Sequence, residues 1–328
     1  MMPRTLWCVM LALAAINAVS AQQAPNPAPF IVPAWAFPTI SPEIASKPPF
    51  DSVLRLRLPR SANTFTLAQL KNFYMAADWY PGAHPTMPEI VAHGRKPGPF
   101  ACGYCHLADG QGRSENATLA ALPVEYFERQ VADMRAGTRR SALEGWGPSA
   151  NMSLAARSVT DSEVGIAARY FASLRATKRY TVIERARIPA TYEAGGLYSV
   201  RSGADSQPIG ARIIEITRDL HRHELRDPSE TFIAYVPPGS IARGRRIATM
   251  SSTIPPTSCV TCHGPALRGV GVIPPLAGRS PSYILRQLVG FRTGSRSAST
   301  SVPMQSVVAA LDLDDMIAVA AYAGSLRP

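Results

Sequence analysis

Apolar positions recur at helical spacing in several segments of this chain of 328 residues. The clearest is TDSEVGIAARYFASL, where Thr160 or Asp161 can cap the helix and Glu163 stands where a capping box needs an acidic residue. Helical patterns also fill TLAQLKNFYMAADWY and MPEIVAHGR, which lie before residue 102. The chain is therefore expected to be mainly α-helical.

A different pattern occupies residues 179–236. Short runs rich in Val, Ile, Thr and Tyr are separated by breaks that contain Gly and Pro; they are YTVIERARI, ARIIEIT and TFIAYV. Such runs are typical of β-strands. We expect two or three strands here, in a connecting segment that packs between the helical regions and fixes their spacing.

The N-terminal residues read as a targeting segment followed by an arm. Residues 1–21 combine Arg4, an apolar run and small residues before Ala21, which is typical of a signal peptide cleaved after Ala21. The run is shorter than the ~20 residues of a membrane-spanning helix. Export to the periplasm is expected. Residues 22–65, with APNPAPF and SKPPF, predict a Pro-rich extended arm.

The formal net charge is +11. A basic protein can dock on acidic proteins, anionic lipid or nucleic acid, but export argues against nucleic acid. The arginines are scattered along the chain, as they are on an ordinary solvated surface. Charge alone therefore leaves both a docking face and a plain solvated surface open.

Two pentapeptides carry the candidate chemistry: CGYCH at 102–106 and CVTCH at 259–263. Two thiols at this spacing lie about one helical turn apart, a separation that meets the two vinyl groups of a haem. The following His can then bind the iron from beneath the ring, and Cys-x-x-Cys-His is the c-type haem attachment signature. The predicted covalent anchors are Cys102, Cys105, Cys259 and Cys262, and the predicted iron ligands are His106 and His263.

The cysteines allow four other interpretations. Removal of the signal peptide would remove Cys8, and four remaining cysteines in an exported protein could form two disulfides. A Cys-x-x-Cys redox pair needs no His and occurs once. A zinc site built from both pairs is chemically reasonable, but it leaves His106 and His263 without a role. Chance is disfavoured by the two matching copies.

The second half of the chain repeats the first. Aligning Cys259 on Cys102 also aligns polar residues of the following helical pattern: Tyr126 with Tyr283, Gln130 with Gln287, Arg135 with Arg292 and Gly137 with Gly294. Further along, the shift between the copies falls from 157 to 152 residues, which aligns Met152–Arg175 with Met304–Arg327. A repeat of this length indicates two copies of one domain.

The repeat also selects a sixth iron ligand. A Met thioether opposite the His gives a six-coordinate haem suited to electron transfer. Met152 and Met304 align, each in a segment predicted to be a polar loop before the last helix of its copy. Met134 and Met316 align with apolar residues that cannot bind iron, which favours core packing for these two. Met152 and Met304 are the predicted distal ligands, with core packing as the alternative.

These motifs resemble a known family. Each repeat resembles a class I cytochrome c, and the whole resembles the tandem dihaem class I cytochromes of bacterial periplasms, over about 66–178 and 237–328. The resemblance implies a mainly α fold: two class I cytochrome c domains joined by a longer, partly β-stranded connecting segment at 179–236. It also implies two covalently bound haem c groups. In the family a backbone carbonyl of a Pro-Leu stretch orients the iron-bound His, which points to Pro274 in IPPLAG and to Ala117 in NATLAA.

The resemblance implies single-electron transfer between a dehydrogenase or quinol-oxidising complex and a terminal oxidase or other cytochrome. The protein would be a free carrier or a subunit of an oxidoreductase, with any membrane association made through a partner, and no catalytic residue is predicted. The alternative is a dihaem enzyme such as a cytochrome c peroxidase, which needs an open face on one haem. A thiosulfate-oxidising enzyme with a Cys ligand is disfavoured because no cysteine is spare.

Two features leave further interpretations open. The segment HRHE, with His221 and His223, could bind a metal or supply a redox-switched ligand, although surface or turn histidines near Asp219 and Asp227 are favoured. The connecting segment could also recruit a partner protein, a role compatible with electron transfer.

Overall fold

The computed structural model describes residues 30–41, 53–203, 205–250 and 258–328. The predicted signal peptide and its cleavage position after Ala21 lie outside these ranges. Val32–Pro328 form one compact unit. A helix long and apolar enough to cross a membrane is not found in the described ranges.

Helices make up most of the regular structure in the described ranges. The α-helices are α1 (Leu67–Leu70), α2 (Glu89–Ala92), α3 (Cys102–His106), α4 (Val124–Arg135), α5 (Gly147–Ser158), α6 (Asp161–Ser173), α7 (Leu220–Glu224), α8 (Ser240–Thr249), α9 (Cys259–His263), α10 (Pro281–Arg292), α11 (Val302–Ala309) and α12 (Leu313–Ser325). The strands are β1 (Arg55–Arg57), β2 (Thr64–Thr66), β3 (Tyr180–Glu184), β4 (Arg187–Pro189), β5 (Thr191–Glu193), β6 (Tyr198–Val200), β7 (Ser206–Pro208), β8 (Ile214–Thr217) and β9 (Phe232–Val236).

The first helical region packs α4, α5 and α6 around one apolar core. Phe127 and Val131 of α4 meet Val164 and Phe171 of α6 in this core. Helix α6 begins with the predicted capping box: the Thr160 and Glu163 side chains each accept a hydrogen bond from the other residue's backbone N–H. The capping prediction is confirmed, and the box satisfies two N–H groups that the first turn would otherwise leave unpaired.

The helix predicted over TLAQLKNFYMAADWY is wrong beyond its first turn. Helix α1 starts with a capping box between Thr66 and Gln69 but ends at Leu70. The side chain of Asn72 then accepts a hydrogen bond from the Tyr74 N–H at 3.0 Å. This local bond replaces the helical pattern, and it turns the chain so that Phe73 stacks on Tyr104 of α3, with ring centroids 4.5 Å apart.

The connecting segment contains seven strands within its described residues, more than the two or three predicted. Five form one sheet in the order β3-β9-β8-β6-β5, and β4 pairs with β7 in a separate ribbon. The pairs β3–β9 and β6–β8 are parallel, whereas β8–β9 and β5–β6 are antiparallel. Strands of three residues such as β5 and β7 are too short to show an alternating pattern, which is why the sequence did not reveal them.

Strand β8 carries a buried carboxylate that joins three parts of the molecule. All four residues of β8 are buried. The Glu215 carboxylate accepts hydrogen bonds from the Ser114 hydroxyl, from the Ser280 hydroxyl at 2.9 Å and from the Ser282 N–H at 3.2 Å. Ser114 follows the first pentapeptide, and Ser280 caps α10 in the second helical region. The sheet therefore contacts both helical regions through one side chain.

The second helical region packs α8 and α10 against α12. Gly244 is required in α8 because a Cβ atom at this position would overlap the carbonyl of Ala318 in α12. Met316 of α12 is fully buried, which agrees with its predicted role in the core. The cap of α12 is Asp312, whose side chain accepts a hydrogen bond from the Asp315 N–H at 2.7 Å.

Replacing Glu163 with Gln is expected to cost about 0.5–1 kcal/mol of unfolding free energy at pH 7. The Arg95 guanidinium, together with Thr160, lowers the pKa of the Glu163 carboxyl to about 2. Because the pKa of Glu163 is lower in the folded state, its carboxylate stabilises the folded protein at pH values above the unfolded pKa of about 4.5. This stabilisation is lost as the pH falls towards 2. Urea titrations at pH 7 and pH 3 test this: the difference in unfolding free energy between the wild type and the Glu163→Gln variant should be smaller at pH 3.

Candidate functional site

The first pentapeptide forms the short helix α3 and presents a neutral imidazole. His106 is buried, and its Nδ1 donates a hydrogen bond to the Ala117 carbonyl at 2.8 Å. Burial lowers the pKa of His106 to about 4, so the ring is uncharged at neutral pH. A neutral imidazole with Nδ1 occupied by a carbonyl offers Nε2 as a metal ligand.

The second pentapeptide, in α9, has the same arrangement. His263 is buried and its Nδ1 donates to the Pro274 carbonyl at 2.9 Å. Burial also lowers the pKa of His263. The two carbonyl partners, Ala117 and Pro274, are the residues that the resemblance implied, so this prediction is confirmed in both copies.

A deep cavity adjoins the first pentapeptide. Cys102, Cys105 and His106 lie on its wall, and Met152 and Met134 line it as well. The rest of the wall near them is apolar, formed by Leu119, Leu122, Phe127, Val131 and Val164. The structure thus brings four of the predicted site residues of the first copy to one cavity with an apolar wall beside them, and it adds a second thioether, that of Met134.

The predicted setting of the two distal methionines is wrong. Met152 lies inside α5 and Met304 inside α11, not in polar loops. Each helix has a proline in its first two positions, Pro148 and Pro303. Proline at that position is preorganised for the first helical turn, so a Pro- and Ser-containing stretch that reads as a loop can begin a helix. Both methionines are half-buried and occupy corresponding helices.

The histidines of HRHE do not form a metal site. His221 is exposed, whereas His223 is buried, and its Nδ1 hydrogen bonds with the Glu230 carboxyl at 2.9 Å. Burial lowers the pKa of His223 to about 3. Within the described ranges no group of three His, Cys, Asp or Glu side chains is placed to hold a metal ion. The surface interpretation holds for His221 and is wrong for His223.

Curated proteins with related sequences are cytochromes. The protein named thiosulfate dehydrogenase electron acceptor, from Stutzerimonas stutzeri (strain A1501), is 36% identical over 150 residues, which are 42% of this chain and 67% of that protein. This chain belongs to the dihaem class I cytochromes c. It is an electron-transfer protein that binds two covalent haems.

Other relatives of this dihaem cytochrome match different lengths of the chain. Cytochrome c4 from Azotobacter vinelandii is 25% identical over 231 residues, covering 69% of this chain and 84% of that protein. Cytochrome c-554(547) from Halothiobacillus neapolitanus is 31% identical over 88 residues, covering 24% of this chain and 97% of that protein. No protein-family model matches the chain.

Solved structures also resemble this dihaem cytochrome. Thiosulfate dehydrogenase TsdBA from Marichromatium purpuratum superposes with a TM-score of 0.46 at 27% identity, over 70% of this chain and 37% of that one. Cytochrome c4 from Pseudomonas stutzeri superposes with a TM-score of 0.45 at 22% identity, over 69% of this chain and 93% of that one.

Two arginines between the repeats, the half-buried Arg139 and the buried Arg296, fit the carboxylates of the haem. Arg139 donates to Gln130 at 2.8 Å and to Tyr283 at 2.9 Å, while Arg296 donates to Gln130 at 2.6 Å and to Gln287 at 3.2 Å. Within the described ranges neither guanidinium has a carboxylate partner, and the buried Nε of Arg296 has no hydrogen-bond partner. Buried cations need anions, and a haem carries two propionates.

We call Arg139, Arg296 and the side chains that bind them the arginine cluster; the sequence alone did not indicate a role for it. Its members come from both repeats, and all five also line the cavity of the first copy: Gln130, Arg139, Tyr283, Gln287 and Arg296. The signal was present in the repeat, because Tyr126, Gln130 and Arg139 align with Tyr283, Gln287 and Arg296. Polar side chains kept at the same positions of two copies indicate a shared task.

Proposed function

We propose that Cys102 and Cys105 anchor one haem and that Cys259 and Cys262 anchor the other. In this proposal His106 and Met152 bind the first iron. The arrangement that carries it is a neutral His106, held by the Ala117 carbonyl, beside an apolar cavity that Met152 also lines.

The same assignment in the second copy makes His263 and Met304 the ligands of the second iron. It is supported by the matching bond from His263 to Pro274 and by the position of Met304 in the helix before α12. The proposed cytochrome domains are 66–178 and 237–328, with 179–236 as the connecting segment, 22–65 as the arm and 1–21 as the signal peptide.

The side chains around each proposed site have distinct tasks. The bound haem supplies reversible one-electron chemistry. The Ala117 and Pro274 carbonyls fix the orientation of the two imidazoles, and the apolar wall excludes water. When the haems are bound, the thioethers of Met152 and Met304 would be iron ligands, and Arg139 and Arg296 would neutralise haem carboxylates. Ligands held on helices move little when the charge of the site changes, which suits fast electron transfer.

We further propose that the protein passes single electrons from a dehydrogenase or quinol-oxidising complex to a terminal oxidase or other cytochrome in the periplasm. The similarity to a protein named thiosulfate dehydrogenase electron acceptor supports a dehydrogenase as the donor. The signal-peptide pattern of residues 1–21 supports the location. Association with a membrane would be made through a partner complex.

Peroxidase activity is not favoured. Peroxide chemistry needs a displaceable position on iron with an acid–base group beside it. Met152 instead packs against the apolar core of the first copy. Stopped-flow mixing of the reduced protein with an oxidised cytochrome should show rapid electron transfer, and mixing with hydrogen peroxide should show slow reaction. Fast peroxide turnover with a high-spin signal would overturn the proposal.

The covalent anchors have a direct test by mass spectrometry. The denatured protein should retain the mass of two haems, and the double variant Cys259→Ala/Cys262→Ala should retain one. The matched double variant Cys102→Ala/Cys105→Ala should also retain one. If either double variant kept two haems, the assignment of that pair would be wrong.

A further inference from the structure

The loop after each pentapeptide has the same backbone in the two copies but a different environment. We call residues 113–116 the first loop and residues 270–273 the second loop. Each is closed by a bridge between its ends, Arg113 with Asn116 and Val270 with Ile273. In the first loop Arg113 is 8% exposed. In the second loop Val270 is 56% exposed and Val272 is 43% exposed.

The connecting segment covers the first loop and the edge of the first pentapeptide. Arg113 contacts the buried His223, and Ser114 donates to Glu215. Arg226 donates to the Tyr104 carbonyl at 2.7 Å, and its guanidinium lies 3.6 Å from the centroid of the Tyr104 ring. The outer edge of the first site is therefore sealed by protein.

Among the residues that the structure describes, none covers the corresponding edge of the second site in this way. Thr261 and Cys262, which align with Tyr104 and Cys105, are exposed. Val270 lies close to the second pentapeptide, since a Cβ atom placed on Gly264, the residue after His263, would be 2.6 Å from the Val270 side chain. The exposed Val270 and Val272 therefore form an apolar patch beside this edge. An apolar contact at the edge of a haem excludes water and brings a partner's redox centre close.

The surroundings of the open edge are cationic. The sequence has no Asp or Glu between Thr231 and Leu311. Arg268, next to the second loop, is exposed. Arg245 and Arg246 of α8, the helix that contacts α9, are exposed as well, although they line a surface groove together with Glu184. Exposed positive charge beside an apolar patch attracts an acidic partner and speeds the encounter.

We propose that the second loop, with Arg268, is the docking surface for an acidic one-electron carrier protein, and that both haems exchange electrons with it through the second site. This rests on the proposed electron-transfer function. In one cycle an oxidised partner takes one electron from the second site, which becomes ferric. The first site then passes its electron to the second, and a second oxidised partner takes that electron, leaving both sites ferric.

A plant-type ferredoxin is a suitable acidic probe for the binding step. Both proteins are kept oxidised, so that no electron moves, and affinity is measured by titration calorimetry with the haem-loaded full chain. The double variant Arg268→Glu/Val270→Glu should bind about tenfold more weakly than the wild type, with a smaller salt dependence. The matched control is Arg218→Glu/Val200→Glu, which changes an exposed Arg and an exposed Val of the connecting segment and should bind like the wild type.

Electron exchange is followed separately by stopped-flow oxidation of the reduced proteins with hexacyanoferrate(III), a small anion. Both kinetic phases should slow by a similar factor in the Arg268→Glu/Val270→Glu variant, because both electrons leave through the second site. Slowing confined to one phase, equal binding by the variant and the wild type, or no binding by the wild type would overturn the docking proposal. A wild-type protein that binds two haems but exchanges electrons with no oxidant would instead overturn the proposed function.

Discussion

Replacing Met152 with Leu will lower the reduction potential of one haem by on the order of 100 mV. A thioether ligand raises the potential because it stabilises ferrous iron over ferric iron. The same substitution should remove half of the Met-to-iron absorption and leave the other half. Potentiometric titration in the visible region, together with the charge-transfer band of the oxidised protein, measures both effects.

Met134 gives the matched control for this prediction. It lines the same cavity as Met152 and is also half-buried, so Met134→Leu makes the same chemical change nearby. We expect this variant to keep both potentials and the full absorption. If Met134→Leu removed the band and Met152→Leu did not, the choice of ligand from the internal repeat would be wrong. Met304→Leu should affect the other half of the band.

Local chemistry and the internal repeat predicted much of the candidate site. The two pentapeptides predicted the helices α3 and α9, and the capping box at Thr160 and Glu163 was equally readable. The carbonyl partners of both histidines were implied by the resemblance to class I cytochromes c, which pointed to Pro274 in IPPLAG and to Ala117 in NATLAA. These features depend on residues close in sequence, on a comparison of the chain with itself, or on the resemblance.

The contacts of the connecting segment could not be read in this way. In IEIT, the sequence of β8, Glu215 looks like the polar, solvent-facing member of an alternating strand. It is buried because hydroxyl and N–H donors from two distant regions, Ser114 and Ser280–Ser282, converge on it. His223 was misjudged for the same reason, since Arg113 and Glu230 reach it only in the folded chain.

The difference between the two copies is likewise a property of the fold. The sequence places Arg113 opposite Val270 and Glu115 opposite Val272. These substitutions look like ordinary drift between repeats until the sheet is in place. Charged side chains occur where the connecting segment supplies partners such as His223, and apolar ones occur where the loop is exposed. The insertion therefore accounts for the divergence of two otherwise similar loops.

Replacing Glu215 with Leu is expected to lower the unfolding free energy by about 3–5 kcal/mol. The change leaves the hydroxyls of Ser114 and Ser280 and the Ser282 N–H without their acceptor. It also removes one of the two carboxylates, Glu215 and Glu115, that stabilise the buried guanidinium of Arg286, which donates to the Ser114 carbonyl at 2.6 Å. Urea unfolding monitored by tryptophan fluorescence gives the size of the loss.

Two further variants separate the role of Glu215 as a junction from a general effect of removing a carboxylate. Ser280→Ala removes one donor to the carboxylate and should cost about 1 kcal/mol. Glu144→Leu changes an exposed Glu of the first helical region and should change stability by less than about 0.5 kcal/mol.

Because Glu215 joins the sheet to both helical regions, its loss should also let them unfold in separate steps, seen as two transitions in urea. A single transition with wild-type stability in Glu215→Leu would show that the packing of α8, α10 and α12 holds the two regions together without this side chain.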